Sequence, residues 1–461
     1  MAHRPALYAG PVDDPDLIVI GGGTAALAVA RAARRRDASV VMITEGPPGG
    51  DCTFTGCVPS KTLLASTSLS FGAAMARVRD TVAAIAAEED EGVLAKQGIT
   101  VLRGRGVVVD PQQVNVDGTV LRTKRLVLAT GSGPVVPNIP GLHDVPYLTN
   151  ENVFELTTLP KHLVVLGGGA IGSEMAFAFQ RLGATVTVLE GENRLLGKEE
   201  PEASRVILEA LTRAGADIRL GTKLTGVAKK GASLVLETSG GPITCSHLLV
   251  AVGRKPLTTG TEALDLRRSK NGAIEVDLRM RTSIKGVWAA GDVTGRLPFT
   301  HAADEMGRVA GGNAVGKVPL RFREKFVPWV TFTDPEVARV GLSEAQAAEA
   351  HKGARVVELP MSALDRARTA DRTDGFVKIV VGPRKVVGNL AGGRILGATI
   401  VAERAGEMMA EVVLAMRTGM FPARLGQTSH AYPTWSGGVQ QAVGQLFGIG
   451  DRSPRPARRD G

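Results

Sequence analysis

The chain has 461 residues with 44% hydrophobic side chains, 57 glycines and a formal net charge of +9. That length predicts about three domains, and the composition suits an α/β protein and excludes a disordered one. The positive charge does not point to nucleic acid: part of it lies in the Pro/Arg-rich tail, Arg34, Arg35 and Arg36 close a predicted helix, and 4% aromatics leave little to stack on bases.

A basic surface instead attracts anionic cofactors and substrates. Met1 to Asp16 has no apolar signal-peptide core, and no apolar run approaches the ~20 residues of a membrane span. No membrane partner is therefore expected. A reducing cytoplasm is the expected location, where a cysteine pair is more often catalytic than structural.

In chain order, Leu17-Ile18-Val19-Ile20 reads as a buried strand, followed by Gly21-x-Gly23-x-x-Ala26 and an Ala-rich helix ending near Arg36. A second strand from Ser39 to Thr44 ends in Glu45. This is a βαβ fingerprint for a dinucleotide: glycines admit the pyrophosphate at the helix start, and the acid receives ribose hydroxyls. Ala26 stands where a third glycine is usual.

Gly49-Gly50-Asp51-Cys52-Thr53-Phe54-Thr55-Gly56-Cys57-Val58-Pro59-Ser60-Lys61 holds two of the chain's three cysteines. Pro59 marks a helix beginning just after Cys57, whose thiolate the helix N-terminus would stabilise. Four intervening residues, Gly56 among them, make a loop that could let the sulfurs meet, so a redox dithiol and two inert thiols both remain open. Zinc would want about four ligands, and no second Cys/His cluster lies nearby, so no resident metal is expected. The order Gly-Gly-x-Cys-x-x-x-x-Gly-Cys-Val-Pro-Ser-Lys resembles the active-site signature of the pyridine nucleotide-disulfide oxidoreductases. That resemblance implies that the first dinucleotide is FAD, contacted by Gly21, Gly23, Ala26, Glu45, Gly50 and Lys61, and that Cys52 and Cys57 form the redox disulfide.

Thr62 to about Lys96 reads as long helix and Ile99 to Val116 as strands. Leu126 to Gly131 is a strand running into Ala129-Thr130-Gly131, similar to the element that closes the family's flavin domain. Prolines 134, 137 and 140 then mark a boundary near Asn150. A second unit follows: strand Leu163–Leu166, Gly167-x-Gly169-x-x-Gly172, and strand Thr185–Leu189 ending in Glu190. Two such units suggest a second cofactor, a nicotinamide nucleotide. Glu190 suits both hydroxyls of an adenosine ribose and would repel a 2′-phosphate; Arg194 is the only nearby cation, so NADH is favoured over NADPH.

By resemblance Glu174, after Gly-x-x-Gly-Ser, belongs beside Lys61 as an ion pair tuning the flavin. Leu248 to Gly253 closes the nicotinamide domain, Cys245 is a small core or surface residue, and Gly286-Val287-Trp288-Ala289-Ala290-Gly291-Asp292 is similar to the second flavin motif, whose aspartate receives a ribityl hydroxyl. From Phe326 the segments resemble the family's C-terminal interface domain, which forms a homodimer. The expected fold is α/β: an FAD domain at 1–150 and 270–325, a Rossmann-like NAD domain at 151–269, an α+β dimerisation domain at 326–447, and a disordered basic tail at 448–461.

The family's disulfide reductases carry a His-Pro-Thr segment followed by a glutamate. Here His430-Ala431-Tyr432-Pro433-Thr434-Trp435-Ser436-Gly437 puts Tyr432 at the histidine position and Gly437 at that of the glutamate. A phenol with a pKa near ~10 donates a hydrogen bond but is a poor base. His430 is displaced by about 6–7 Å of extended chain. The tyrosine resembles the mercuric reductase subgroup, without that subgroup's C-terminal cysteine pair or N-terminal metal-binding domain. The resemblance implies electrons running from NADH through FAD and the Cys52–Cys57 disulfide to a metal ion or small acceptor. A disulfide reductase or dithiol oxidase of dihydrolipoamide dehydrogenase type is the alternative, and a redox-responsive binding protein the third reading.

Overall fold

The structure, a computed structural model, describes residues 14–450 and 454–458. The chain forms two compact units, Met1–Val136 with Leu148–Thr158 and Gly253–Glu324, and Pro137–Tyr147 with Leu159–Val252 and Lys325–Gly461. Among the described residues no helix is long and apolar enough to cross a membrane.

In the first unit five parallel strands lie in the order Val287–Ala289, Leu126–Leu128, Leu17–Ile20, Val40–Thr44, Ile99–Arg103. The strand Leu17–Ile20 is buried along its whole length, as a central parallel strand must be when both faces are covered. The helix Thr24–Arg34 packs closely on the helix Thr300–Val315 because the latter carries glycines where the backbones touch. A Cβ on Gly307 would stand 2.4 Å from the Ala25 carbonyl, and one on Gly311 2.4 Å from that of Val29.

The expected long helix after Thr62 is broken into Cys57–Leu64, Phe71–Ala87 and Glu91–Lys96. Side chains of Ser70 and Asp90 accept the amides of Ala73 and Val93, restarting the helix at each cap.

The second unit contains a parallel sheet ordered Asp217–Arg219, Thr185–Leu189, His162–Leu166, His247–Val250. It also contains a six-stranded antiparallel sheet, Pro328–Thr331, Glu336–Gly341, Arg394–Ala402, Phe376–Gly382, Arg355–Pro360, Arg455–Pro456. Helices Ala405–Thr418 and Gly437–Gly444 cover that sheet through a core including Val377, Ile379, Met408, Val412 and Val439.

Two boundaries differ from the sequence reading. The first unit keeps Leu148–Thr158 and regains the chain at Gly253 rather than at 270. Arg254–Pro256 pairs antiparallel with Ser132–Pro134, which ties the returning chain to the departing one. The tail expected to be disordered is partly ordered: Arg455–Pro456 adds a strand to the edge of Arg355–Pro360, and Arg455 forks onto the buried Glu344 carboxylate. A tail of prolines and arginines has no apolar periodicity to announce this; the carboxylate that holds it lies 111 residues away. The remaining tail residues 451–453 and 459–461 lie outside the described residues.

Candidate active site

The first glycine turn is built by steric demand. Gly21 has φ +127, and a Cβ there would stand 2.1 Å from the Ala129 carbonyl oxygen. Gly23 caps the helix Thr24–Arg34 with no side-chain hydrogen bond, and a Cβ on it would find only Gly50 Cα at 4.0 Å. The helix amides therefore face clear space, the environment a pyrophosphate needs. Ala26 is buried in that helix, and Glu45 is exposed at the end of the second strand.

Gly50, at φ +62, presses its backbone on Gly23: a Cβ there would lie 2.6 Å from Gly23 Cα. The cysteine segment consequently starts against the glycine turn. Cys52 lies in the helix Gly50–Phe54, and Cys57 opens the helix Cys57–Leu64, one residue position earlier than the sequence reading. Lys61 follows one turn later, partly buried.

Thr300, which the sequence reading missed, joins the two cysteines. Its hydroxyl donates to Cys52 Sγ at 3.2 Å and lies 3.3 Å from Cys57 Sγ. Thr300 is the first residue of a 16-residue helix whose N-terminus has no side-chain cap. Two helix N-termini therefore meet at the sulfurs, a setting that favours negative charge there. Against this, the Cys52 thiol is pushed well up, first by its hydrogen bond to Cys57, then by burial and the Cys57 charge; Thr300 works in the opposite direction. Interacting thiols of this kind give up protons as a pair. Cys57 is exposed, Cys52 partly buried and Cys245 buried, its thiol raised to about 11 by burial.

The second flavin motif reaches the same unit. Asp292 accepts the Ser132 hydroxyl at 2.6 Å, and burial raises its carboxyl above the usual range while Ser132 opposes this. Ser132 also accepts Arg254 Nε at 2.9 Å, and Arg254 Nη2 meets Asp51 at 2.7 Å. Thr130 donates to the Leu257 carbonyl, and Gly131 has φ +77. Glycine turn, helix start and Asp292 thus fit FAD.

In the second unit a Cβ on Gly167 would stand 2.6 Å from the Ala251 carbonyl oxygen, and one on Gly172 1.9 Å from that of Gly167. Gly169 caps the helix Ala170–Arg181 without a side chain and faces open space. Glu190 accepts the amides of Gly168 at 2.6 Å and Glu192 at 2.8 Å, which fixes the carboxylate beside the turn. These residues fit a second dinucleotide. Gly253 lies instead at the start of the segment returning to the first unit, its carbonyl accepting Val135. Glu174 is buried, with one oxygen accepting the Phe332 amide at 2.8 Å.

Tyr432 is 79% exposed, its hydroxyl donating to Asp365 at 3.0 Å, a bond that raises the phenol above its ordinary value. His430 points elsewhere: Nδ1–H donates to the Thr428 carbonyl, and Nε2 lies 2.9 Å from Glu411. A carboxylate and a ring nitrogen at that distance hold one proton between them. Burial raises Glu411, and His430 opposes the shift. Among the described residues no cluster of three or more His, Cys, Asp or Glu could hold a metal ion.

Two family models match: "Pyridine nucleotide-disulphide oxidoreductase" over residues 15–307, and that family's dimerisation domain over 327–443. A mercuric reductase of Streptomyces lividans is 34% identical over 93% of this chain and 95% of its own length. The mitochondrial dihydrolipoyl dehydrogenase of Pisum sativum is 31% identical over 95% and 93%. Among solved structures, a Cu(II) complex of the HOCl-induced flavoprotein disulfide reductase RclA from Escherichia coli matches with TM-score 0.87 and 28% identity, covering 94% of this chain and all of that one. With both glycine turns, the cysteine pair and the dimerisation domain matched over nearly its whole length, the chain belongs to the pyridine nucleotide-disulfide oxidoreductases, FAD-dependent enzymes that use pyridine nucleotides.

Proposed function

We propose that this enzyme oxidises NADH and passes the electrons through a Cys52–Cys57 disulfide to a thiophilic metal ion or small acceptor. The observation that carries the reading is the meeting of both sulfurs with Thr300 at two helix N-termini. When bound, FAD and the nicotinamide nucleotide supply the electron pair.

Gly21, Gly23, Ala26, Glu45, Gly50, Thr130, Gly131 and Asp292 would hold FAD, and Gly167, Gly169, Gly172 and Glu190 the nicotinamide nucleotide. Arg194 donates to the Gly197 carbonyl within its own loop, which supports NADH over NADPH. Lys61, one turn after Cys57, would bring a cation toward the flavin. Cys57 is assigned to the flavin side and Cys52 to the acceptor by the likeness of their motif. Thr300 would donate a hydrogen bond to whichever sulfur is released and so stabilise the charge that builds there. Tyr432 of the partner subunit would orient the acceptor. With its proton committed to Asp365, the phenol oxygen offers lone pairs, which suits a cation better than a carbonyl or disulfide. A soft metal between two thiolates needs electrons more than a proton relay, and a reducing cytoplasm suits a dithiol that cycles.

A second reading, reduction of a small disulfide, is favoured by the His430–Glu411 pair, which holds a proton two residues from Tyr432. The test is NADH oxidation by the purified flavoprotein with Hg(II) in excess thiol, beside lipoamide and small disulfides. Turnover with Hg(II) that disappears in Cys57→Ser, while the flavin is still reduced by NADH, supports the metal reading. Inhibition by Hg(II) with turnover of a disulfide supports the second. Full turnover of every acceptor in Cys57→Ser overturns both.

A further inference from the structure

We propose that Arg254 is a positioning residue for the Cys52–Cys57 pair, anchoring the loop between the cysteines to the Asp292 carboxylate. The inference rests on reading that pair as a redox disulfide.

Arg254 lies on the returning strand, only 17% exposed, and its guanidinium is used along its whole edge. Nε donates to the Ser132 hydroxyl at 2.9 Å, Nη2 to the Ser132 carbonyl at 2.7 Å, and the same nitrogen meets Asp51 Oδ2 at 2.7 Å. The Ser132 hydroxyl in turn donates to Asp292 Oδ2 at 2.6 Å. On the other side, Asp51 Oδ1 accepts the Thr55 hydroxyl and the Asn150 amide, the latter at 3.1 Å. The Asn150 amide also reaches the Thr55 carbonyl at 3.3 Å.

Thr55 is one of the four residues between the cysteines, and it is held at both hydroxyl and carbonyl. A planar guanidinium can hold Asp51 and Ser132 together in fixed directions; an ammonium is a point charge without that fork. Holding the loop raises the effective concentration of one sulfur at the other, which favours the closed disulfide over the open dithiol. Without Arg254 the Asp51 carboxylate loses its cation and the chain from Asp292 to Thr55 is cut.

The experiment equilibrates the FAD-loaded protein with dithiothreitol buffers. Each turn moves two electrons and two protons from dithiothreitol to Cys52 and Cys57, breaking their bond and leaving the cyclic dithiothreitol disulfide. Free thiols are then alkylated and mapped by peptide mass, which separates Cys245. Arg254→Gln is expected to lower the stability of the protein disulfide about tenfold, a midpoint about 30 mV more positive. Arg254→Lys is expected to fall between the two. Thr55→Ala should shift the same way, and Thr55→Ser should restore the wild-type midpoint.

A wild-type midpoint retained within twofold by both Arg254→Gln and Thr55→Ala overturns the positioning role while leaving the redox pair standing. Absence of a reversible Cys52–Cys57 transition in the wild type overturns both. If Arg254→Gln loses FAD, the Thr55 pair of variants decides: a shift in Ala rescued by Ser supports the anchor, and no shift overturns it.

Discussion

Lys378 offers the largest stability effect that the structure allows to be worked out from named contacts. Its side chain is fully buried, with Nζ 2.9 Å from Glu202, 3.1 Å from Glu344, 3.7 Å from Glu358 and 3.8 Å from Glu200. At an effective dielectric of about 20, a pair near 3 Å is worth about 5 kcal/mol before the desolvation of both partners is charged against it. What remains on deleting only the cation is the cost of stranded carboxylates, about 3–5 kcal/mol. Glu200 is the group left without a cation, 3% exposed at the side chain, while Glu344, 6% exposed, loses one of its two cations and keeps Arg455.

Lys378→Met should therefore lower the thermal midpoint of the FAD-loaded protein by on the order of 10 °C, at about 2–4 °C per kcal/mol for a body of this size. The pH dependence gives a sharper check. Burial works against the lysine charge, but the glutamates outweigh it and raise Lys378 above its ordinary 10.5; its contribution is therefore constant throughout neutral pH and lost only on passing into strong alkali. Glu344 is held at about 2, burial being overcome by Arg455 and Lys378, so its contribution is complete above its ordinary 4.5 and lost as pH falls toward 2. Glu200 is already raised by burial, with Lys378 restraining it. Without the lysine both acids take up protons at higher pH, and the deficit should shrink between about pH 8 and about pH 5. A midpoint within 2 °C of wild type, or a deficit that grows in acid, would refute the reasoning; differential scanning fluorimetry by flavin emission reads both (~1 °C resolves the change).

Thr300→Val removes the donor that opposes the rise of the Cys52 thiol, so the pH profile of its alkylation should move upward by about half to one unit, the worth of one hydrogen bond, and Thr300→Ser should restore it. Gly172→Ala drives a Cβ to 1.9 Å from the Gly167 carbonyl oxygen, and separation of helix from turn should abolish nicotinamide binding in titration calorimetry while FAD content is kept. Glu190→Gln keeps the shape but loses the charge that two amides and a ribose would share, so NADH affinity should fall about tenfold and the preference over NADPH should narrow. Equal preference in mutant and wild type would remove Glu190 from specificity.

Both dinucleotide turns were legible in the sequence because their physics is local. Gly21 and Gly167 need positive φ, Gly23 and Gly169 need an open helix start, and each demand is met within a few residues of one strand and one helix. The cysteine motif was legible for the same reason, since its spacing and the helix after it lie in one short segment. The parallel sheets followed from paired βαβ patterns whose strands are short, apolar and buried on both faces.

Tertiary structure alone decided what surrounds the sulfurs and where the charges are paired. Thr300 is 243 residues from Cys57 and Arg254 more than two hundred from Asp51, and nothing in Phe-Thr-His-Ala or Gly-Arg-Lys-Pro distinguishes either from an ordinary helix start or turn. Lys378 stands among apolar neighbours in a strand buried on both faces, and only the four glutamates brought from three other segments make its charge tolerable. Arg455 is ordered by Glu344 in the same way. A side chain states which partner it can accept; which partner it meets depends on how distant stretches of chain are closed together, and that is set by the fold as a whole.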